Sequence, residues 1–207
     1  MVNVTFAGLT VQQFLDALAG SEPTPGGGTA SAITGAMGAS LLVMVSGLAK
    51  SRTNAEDEKA ALARAREPLG AVRDRLVRLA DDDTAAFNDV MSAYRLPKVP
   101  EQEKAGRANA IERALQRATT VPLETLRECY HALELAPVVA AHGNRSAASD
   151  VGVAIGLLEA AAAGAAANVA INLAGLKDAA FKSQASAETS SLTANVAARA
   201  ADARAHL

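Results

Sequence analysis

Apolar positions along the chain recur at three- and four-residue intervals, and no stretch alternates apolar with polar residues as a half-buried strand would. That periodicity predicts an all-α fold, a helical bundle of about seven helices in a single domain spanning residues 1–207. Thr10-Val11-Gln12-Gln13 reads as a capping box, followed by apolar Val11, Phe14, Leu15 and Leu18 and closed by Gly20. A second helix runs from the glycines at 26–28 to about Lys50. Asn54 is the expected cap of a third, with Glu56, Asp57 and Glu58 in its first turn, where negative charge suits the helix dipole. Pro68 is a candidate kink in that helix, and Pro97 and Pro100 end it. A charged fourth helix from Glu101 to about Thr120 leads through Pro122 into a fifth reaching about Ala141. His142-Gly143-Asn144-Arg145 then reads as a loop, a sixth helix runs from a Ser149-Asp150 cap to Gly175, and Asp178 opens the last. Its alanine-rich end, residues 194–207, is expected to fray or to pack on a second subunit.

Three of these helices carry patterns that go beyond a simple core face. On the second, Ile33, Met37, Leu41, Met44 and Leu48 share one stripe, while Gly28, Gly35, Ala39 and Ser46 gather on the other side. Such a helix is expected to touch large side chains on one side and another backbone closely on the other. On the sixth, Gly152, Gly156, Ala160, Gly164, Asn168 and Asn172 form a small-residue ridge of the kind that lets helices pack tightly or meet at a subunit interface. On the third, a projection at about 100° per residue aligns Leu62, Leu69, Val72, Leu76, Leu79, Phe87, Val90 and Tyr94. Asp83 falls inside that stripe, whereas its neighbours Asp81 and Asp82 point away. An ionised carboxylate on an apolar face is costly unless it is paired or put to use, so Asp83 is either a functional acid or a buried cap or ion-pair partner.

The turn Pro23-Thr24-Pro25-Gly26-Gly27-Gly28-Thr29 raises a second question of the same kind. Three glycines at a helix start either permit tight packing or leave bare N–H groups to receive an anionic or carbonyl ligand. No Gly-Lys-Ser/Thr follows and no strand precedes, so neither a P-loop nor a dinucleotide fingerprint is present.

Composition narrows the choice. Twenty Lys and Arg against 22 Asp and Glu give a formal charge of −2, which leaves no basic excess for nucleic acid. The single cysteine, Cys129, reads as a small core residue and fits a reducing, cytoplasmic setting. Residues 26–49 carry no charge, yet only eight of them are bulky and apolar, which favours a soluble core helix over a membrane span. His131, His142 and His206 show no paired helical spacing, so no metal site is expected.

Taken in order, PTPGGGTASA, MVSGLAKSR, DDDTAAF, HGNRSAASDVGVA and NVAINLAGLKD resemble the formiminotetrahydrofolate cyclodeaminase and methenyltetrahydrofolate cyclohydrolase family over about residues 10–180. The resemblance implies an all-α homodimeric enzyme with sites near the subunit interface, a tetrahydrofolate derivative as substrate, no separate cofactor, and Asp83 as catalytic acid–base. It further implies that Pro25, Gly26, Gly27, Gly28, Lys50 and Arg52 hold the pterin or the glutamate carboxylates. Asn144, Asp150, Asn168 and Asn172 are the polar candidates around the same site. The stretch DDDTAAFNDVMSAYRLPK is similar to that of stand-alone cyclohydrolases. Hydrolysis of methenyltetrahydrofolate is therefore the leading expectation, with the cyclodeaminase reaction, or a silent folate-binding helical dimer, as alternatives.

Overall fold

The computed structural model describes residues 5–98 and 101–207, and among them helices are the only regular elements. They are α1 (Val11–Leu18), α2 (Gly27–Ser46), α3 (Glu56–Arg95), α4 (Glu101–His142), α5 (Ala148–Gly175) and α6 (Ala179–Ala205), with short 3-10 turns at Phe6–Gly8 and Arg145–Ala147. Six α-helices thus replace the seven expected, because residues 101–120 and 122–141 are one continuous helix running through Pro122. Proline at 122 deprives the Ala118 carbonyl of its intrahelical donor. Asn172 of α5 supplies the missing donor, its Nδ2 lying 2.6 Å from Ala118 O, so the helix continues.

Boundaries shift where a local feature outcompetes the sequence pattern. The capping box forms as read, with Gln13 N donating to Thr10 Oγ1 and Thr10 N to Gln13 Oε1, and Asp178 caps α6 by accepting from Phe181 N. Helix α2, however, stops at Ser46 instead of near Lys50, and Gly47 follows it. The Arg66 guanidinium passes over this turn, its carbon 2.7 Å from where a Gly47 Cβ would be. Asn54 is not the cap of α3: it adopts φ 64°, a left-handed conformation that asparagine tolerates, and Ala55 precedes the first helical residue. Ser149 and Asp150 sit inside the first turn of α5, which begins at Ala148 after the 3-10 turn. Pro100 lies outside the described residues.

The core forms where α2 meets α5 and α3. Gly35 of α2 lies against Ala161, Leu76 and Cys129, and Gly38 against Leu158 and the Ala154 carbonyl. Gly164 of α5 lies against Ser31, so residue numbers on α2 and α5 run in opposite directions and the pair is antiparallel. The small face of α2 is therefore buried as expected. Its bulky stripe is only partly so: Ile33 and Leu41 pack against the core, whereas Met37 is 49% exposed and Met44 40%. The α5 ridge also divides, since Gly164 is covered by α2 whereas a Cβ at Gly156 would have no neighbour within 4 Å, and Val153 and Ile171 stand out in solvent. By length and composition both α2 and the segment Arg145–Gly175 are apolar enough to cross a bilayer, yet α2 is largely packed within the bundle. The end of α6 neither frays nor waits for a partner; Val196, Ala200 and Ala203 are buried in the chain's own core, and Arg204 pairs with Glu159. Cys129 is fully buried, and burial pushes its thiol up to about 12, which leaves it an inert core residue.

Candidate active site

Helix α2 begins without a side-chain cap, because its N-cap is Gly26 and glycine has nothing to offer the first amides. The acceptor comes instead from α3. Asp83 Oδ2 accepts from Thr29 Oγ1 at 2.9 Å, and Thr84 Oγ1 lies 3.4 Å from the same hydroxyl. Thr29 is completely buried. The contact is possible because residue 28 has no side chain: a Cβ there would lie 2.6 Å from Asp83 Cγ, well inside van der Waals contact. Asp83 thus has the geometry of the buried-cap reading and also borders a recess. It serves the start of α2 as a cap would, and it is a partly buried carboxylate at the edge of a cleft.

Burial raises the Asp83 pKa above the usual carboxylate value, and the hydrogen bonds from the Thr29 hydroxyl and amide pull the other way without cancelling it. The result is an acid whose proton affinity moves towards neutrality, as a general base requires. Its two neighbours behave as the helical projection predicts. Asp81 accepts from Phe6 N at 2.8 Å and tethers the amino-terminal turn, while Asp82 lies 3.8 Å from Arg75 on the outer face.

The cleft in front of Asp83 encloses ≈ 260 Å³ among four helices, at the start of α2 and near the end of α5. Gly26, Gly27 and Gly28 form one wall; Phe87 and Val90 from α3 and Ala118 from α4 form the apolar side; Asn168 and Asn172 close it from α5. Asn168 Nδ2 lies 3.7 Å from where a Gly27 Cβ would be and donates to Gly164 O at 2.8 Å. With Asn172 Nδ2 donating to Ala118 O, both carboxamides are tied to backbone carbonyls and held in place beside the cleft.

The sequence reasoning thus placed Asp83, the three glycines, Asn168 and Asn172 together, and the structure brings them together. It separates the rest. Pro25 belongs to the turn, but Pro23 and Thr24 are the residues of that turn that line the cleft. Lys50, Arg52, Asn144 and Asp150 lie at the opposite end of α2, which at 1.5 Å per residue is about 30 Å long. Arg52 has a structural task there: its guanidinium donates to Ala140 O and His206 O, and its amide to His142 O, joining the ends of α4 and α6. Asn144 caps the 3-10 turn by accepting from Ser146 N at 2.9 Å. Sequence reasoning missed Thr29, Thr24, Pro23, Phe87, Val90 and Ala118 as parts of the site. Phe87 and Val90 carried a signal, since they share the Asp83 stripe; Thr29 carried only its place next to the glycines. Among the described residues no three His, Cys, Asp or Glu side chains converge as a metal site would require.

Fold and cleft together define an all-α protein with a small-molecule recess into which one partly desolvated acid looks. The chain belongs to the formiminotransferase-cyclodeaminase family, whose sequence model matches residues 10–191. It is 43% identical over 189 residues to the methenyltetrahydrofolate cyclohydrolase of Methylorubrum extorquens, covering 91% of both chains. The formimidoyltransferase-cyclodeaminase of Sus scrofa is 35% identical over 194 residues; the match covers 92% of this chain and 35% of that one, so this chain spans about a third of the two-function animal protein. The crystal structure of formiminotetrahydrofolate cyclodeaminase from Thermotoga maritima superposes with a TM-score of 0.86 at 28% identity, over 96% of each chain.

Proposed function

We infer that the protein is an enzyme of folate one-carbon metabolism that hydrolyses 5,10-methenyltetrahydrofolate to 10-formyltetrahydrofolate. The observation that carries the reading is Asp83, a carboxylate of raised proton affinity held against a glycine-opened helix start at the mouth of a cleft. The substrate's amidinium carbon is already electrophilic, so the protein needs to orient water, accept a proton and stabilise a tetrahedral adduct. Asp83 takes the proton of the attacking water as the C–O bond forms. It returns that proton to N5 as the C–N5 bond breaks, the adduct hydroxyl loses its own proton to solvent, and the formyl group stays on N10. The Asn168 and Asn172 carboxamides suit the polar edge of a pterin, and the Phe87–Val90 wall suits its ring faces.

The reading favours a homodimer in the cytoplasm. Exposed Met37 lies at the middle of α2, ten residues from Gly27 and ten from the Gly47 that follows the helix. A two-fold axis there would cover the bulky stripe and bring Lys50 of the partner subunit towards the Thr24–Gly26 turn, supplying a cation that the cleft itself lacks. A second reading, cyclodeamination of formiminotetrahydrofolate, is favoured by the extent of the likeness to the Thermotoga structure. Offering the purified protein both substrates separates them. Loss of methenyltetrahydrofolate near-ultraviolet absorbance, with kcat/KM at least about tenfold above that for ammonia release, supports the cyclohydrolase; the reverse ratio overturns it.

A further inference from the structure

We propose that the surface beyond Phe87 is the subsite for the benzoyl-glutamate arm of the substrate, with Arg95 receiving its carboxylates; this rests on the folate reading. The main cleft, at ≈ 260 Å³, is smaller than the clefts that usually bury a whole drug-sized ligand, so a pterin and its one-carbon bridge fill it and the remainder of the molecule must leave it. A second recess of ≈ 390 Å³ adjoins it and shares Pro23, Thr24 and Phe87 with it. From that shared threshold it follows α3 past Asn88, Met91 and Ser92 and ends at Arg95. Arg95 lies twelve residues beyond Asp83 on a continuous helix, about 18 Å along the axis, a span that the arm from N10 to its carboxylates covers together with the reach of the arginine side chain.

The chemistry changes along this path in the order the arm requires. Phe87 and Met91 offer an aromatic and a polarisable surface to a benzoyl ring. Arg95 then presents a guanidinium fork, the group best matched to a carboxylate. Its neighbours are committed elsewhere: Arg107 donates to Tyr94 O and Leu96 O, and Arg117 pairs with Asp89. Arg95 makes no hydrogen bond or ion pair among the described residues. The acid facing the same recess is Glu22 from the glycine turn, and it opposes a second negative charge. Charge on a helix's last turn also suits the dipole, which accounts for a basic residue at 95 but not for its place at the end of a groove continuous with the cleft.

The test compares methenyltetrahydrofolate with the methenyltetrahydropteroate analogue, which lacks glutamate. In R95Q, KM for the glutamate-bearing substrate should rise about threefold to tenfold with kcat within about twofold, since an exposed ion pair adds modest uniform binding. KM for the pteroate should stay at the wild-type value. The wild-type KM should rise with salt and the R95Q value should not, and E22Q should shift KM downwards. Arg95→Lys should restore part of the loss. An R95Q protein equal to wild type on the glutamate-bearing substrate, or weakened equally on both substrates, overturns the subsite while leaving the cyclohydrolase reading intact. A wild-type protein that turns over neither substrate overturns the folate reading and the subsite with it.

Discussion

At Asp83 one carboxylate stands between the start of α2 and the cleft where it is the proposed base, and its environment sets how the two roles trade. Desolvation raises its pKa above the unfolded value, so the protonated form is favoured in the folded state. Stability associated with this group is therefore present in full below the unfolded carboxylate pKa and is lost as pH rises through the folded one. Asp83→Asn removes the base but keeps the shape. Its kcat should fall by about 10² to 10⁴ with folate still bound. Its melting temperature should exceed that of wild type at pH 8, and the gap should close as pH is lowered through the carboxylate range; a gap that widens in acid would show that the carboxylate stabilises the fold. Thr29→Val deletes a hydroxyl that holds the pKa down, so the acid limb of the kcat/KM profile should move to higher pH. An unmoved limb would mean that the titrating base is another group. Asp83 was legible in the sequence because helical periodicity fixes direction around an axis. Thr29 was not, because its partner lies 54 residues away and no local pattern encodes a tertiary hydrogen bond.

The elements show where a local rule gives way to a distant contact. Proline is a sound signal for a helix boundary when nothing else satisfies the carbonyl it orphans, and Pro122 was read in that way. Asn172, itself part of the cleft, removes the penalty from another helix. Asn172→Ala should cost about 1 kcal/mol and loosen α4 at Ala118, whereas Pro122→Ala restores an intrahelical donor. In the double variant most of the Asn172 cost should vanish. Calorimetric melts of the four proteins give the coupling, and strict additivity would show that the two residues act independently. The distance of Lys50, Arg52, Asn144 and Asp150 from Asp83 within one chain has a similar origin. Polar residues at the two ends of a 20-residue rod are close in a motif and far apart in space, and only the antiparallel pairing of α2 with α5 reveals which end holds the site.

For the whole molecule, the all-α fold and the close-packed α2–α5 pair were readable because small residues at four-residue spacing have few other uses in a bundle. The outward direction of Met37 and Met44 on the bulky α2 stripe was not readable, because a helix buried on both sides and one with a face waiting for a second copy give the same pattern. Met37, Met44, Val153 and Ile171 are all exposed in a single chain. Met37→Glu at the proposed two-fold axis should convert a particle of two chain masses into one of a single mass by light scattering, with helicity retained. A wild-type protein of one chain mass at micromolar concentration would remove the dimer.

The contact between Gly28 and Asp83 also has a history written into it. While the carboxylate is present, position 28 admits one residue, because any Cβ would overlap it. If a descendant lost Asp83 to a smaller residue, that restriction would lift, and a side chain at 28 would drift freely into the vacated space. Regaining the acid would then require glycine to return first, a step that selection for catalysis cannot favour while the acid is still missing. The close approach thus works as a ratchet: activity is lost by one substitution and, once the neighbour has changed, is not recovered by one.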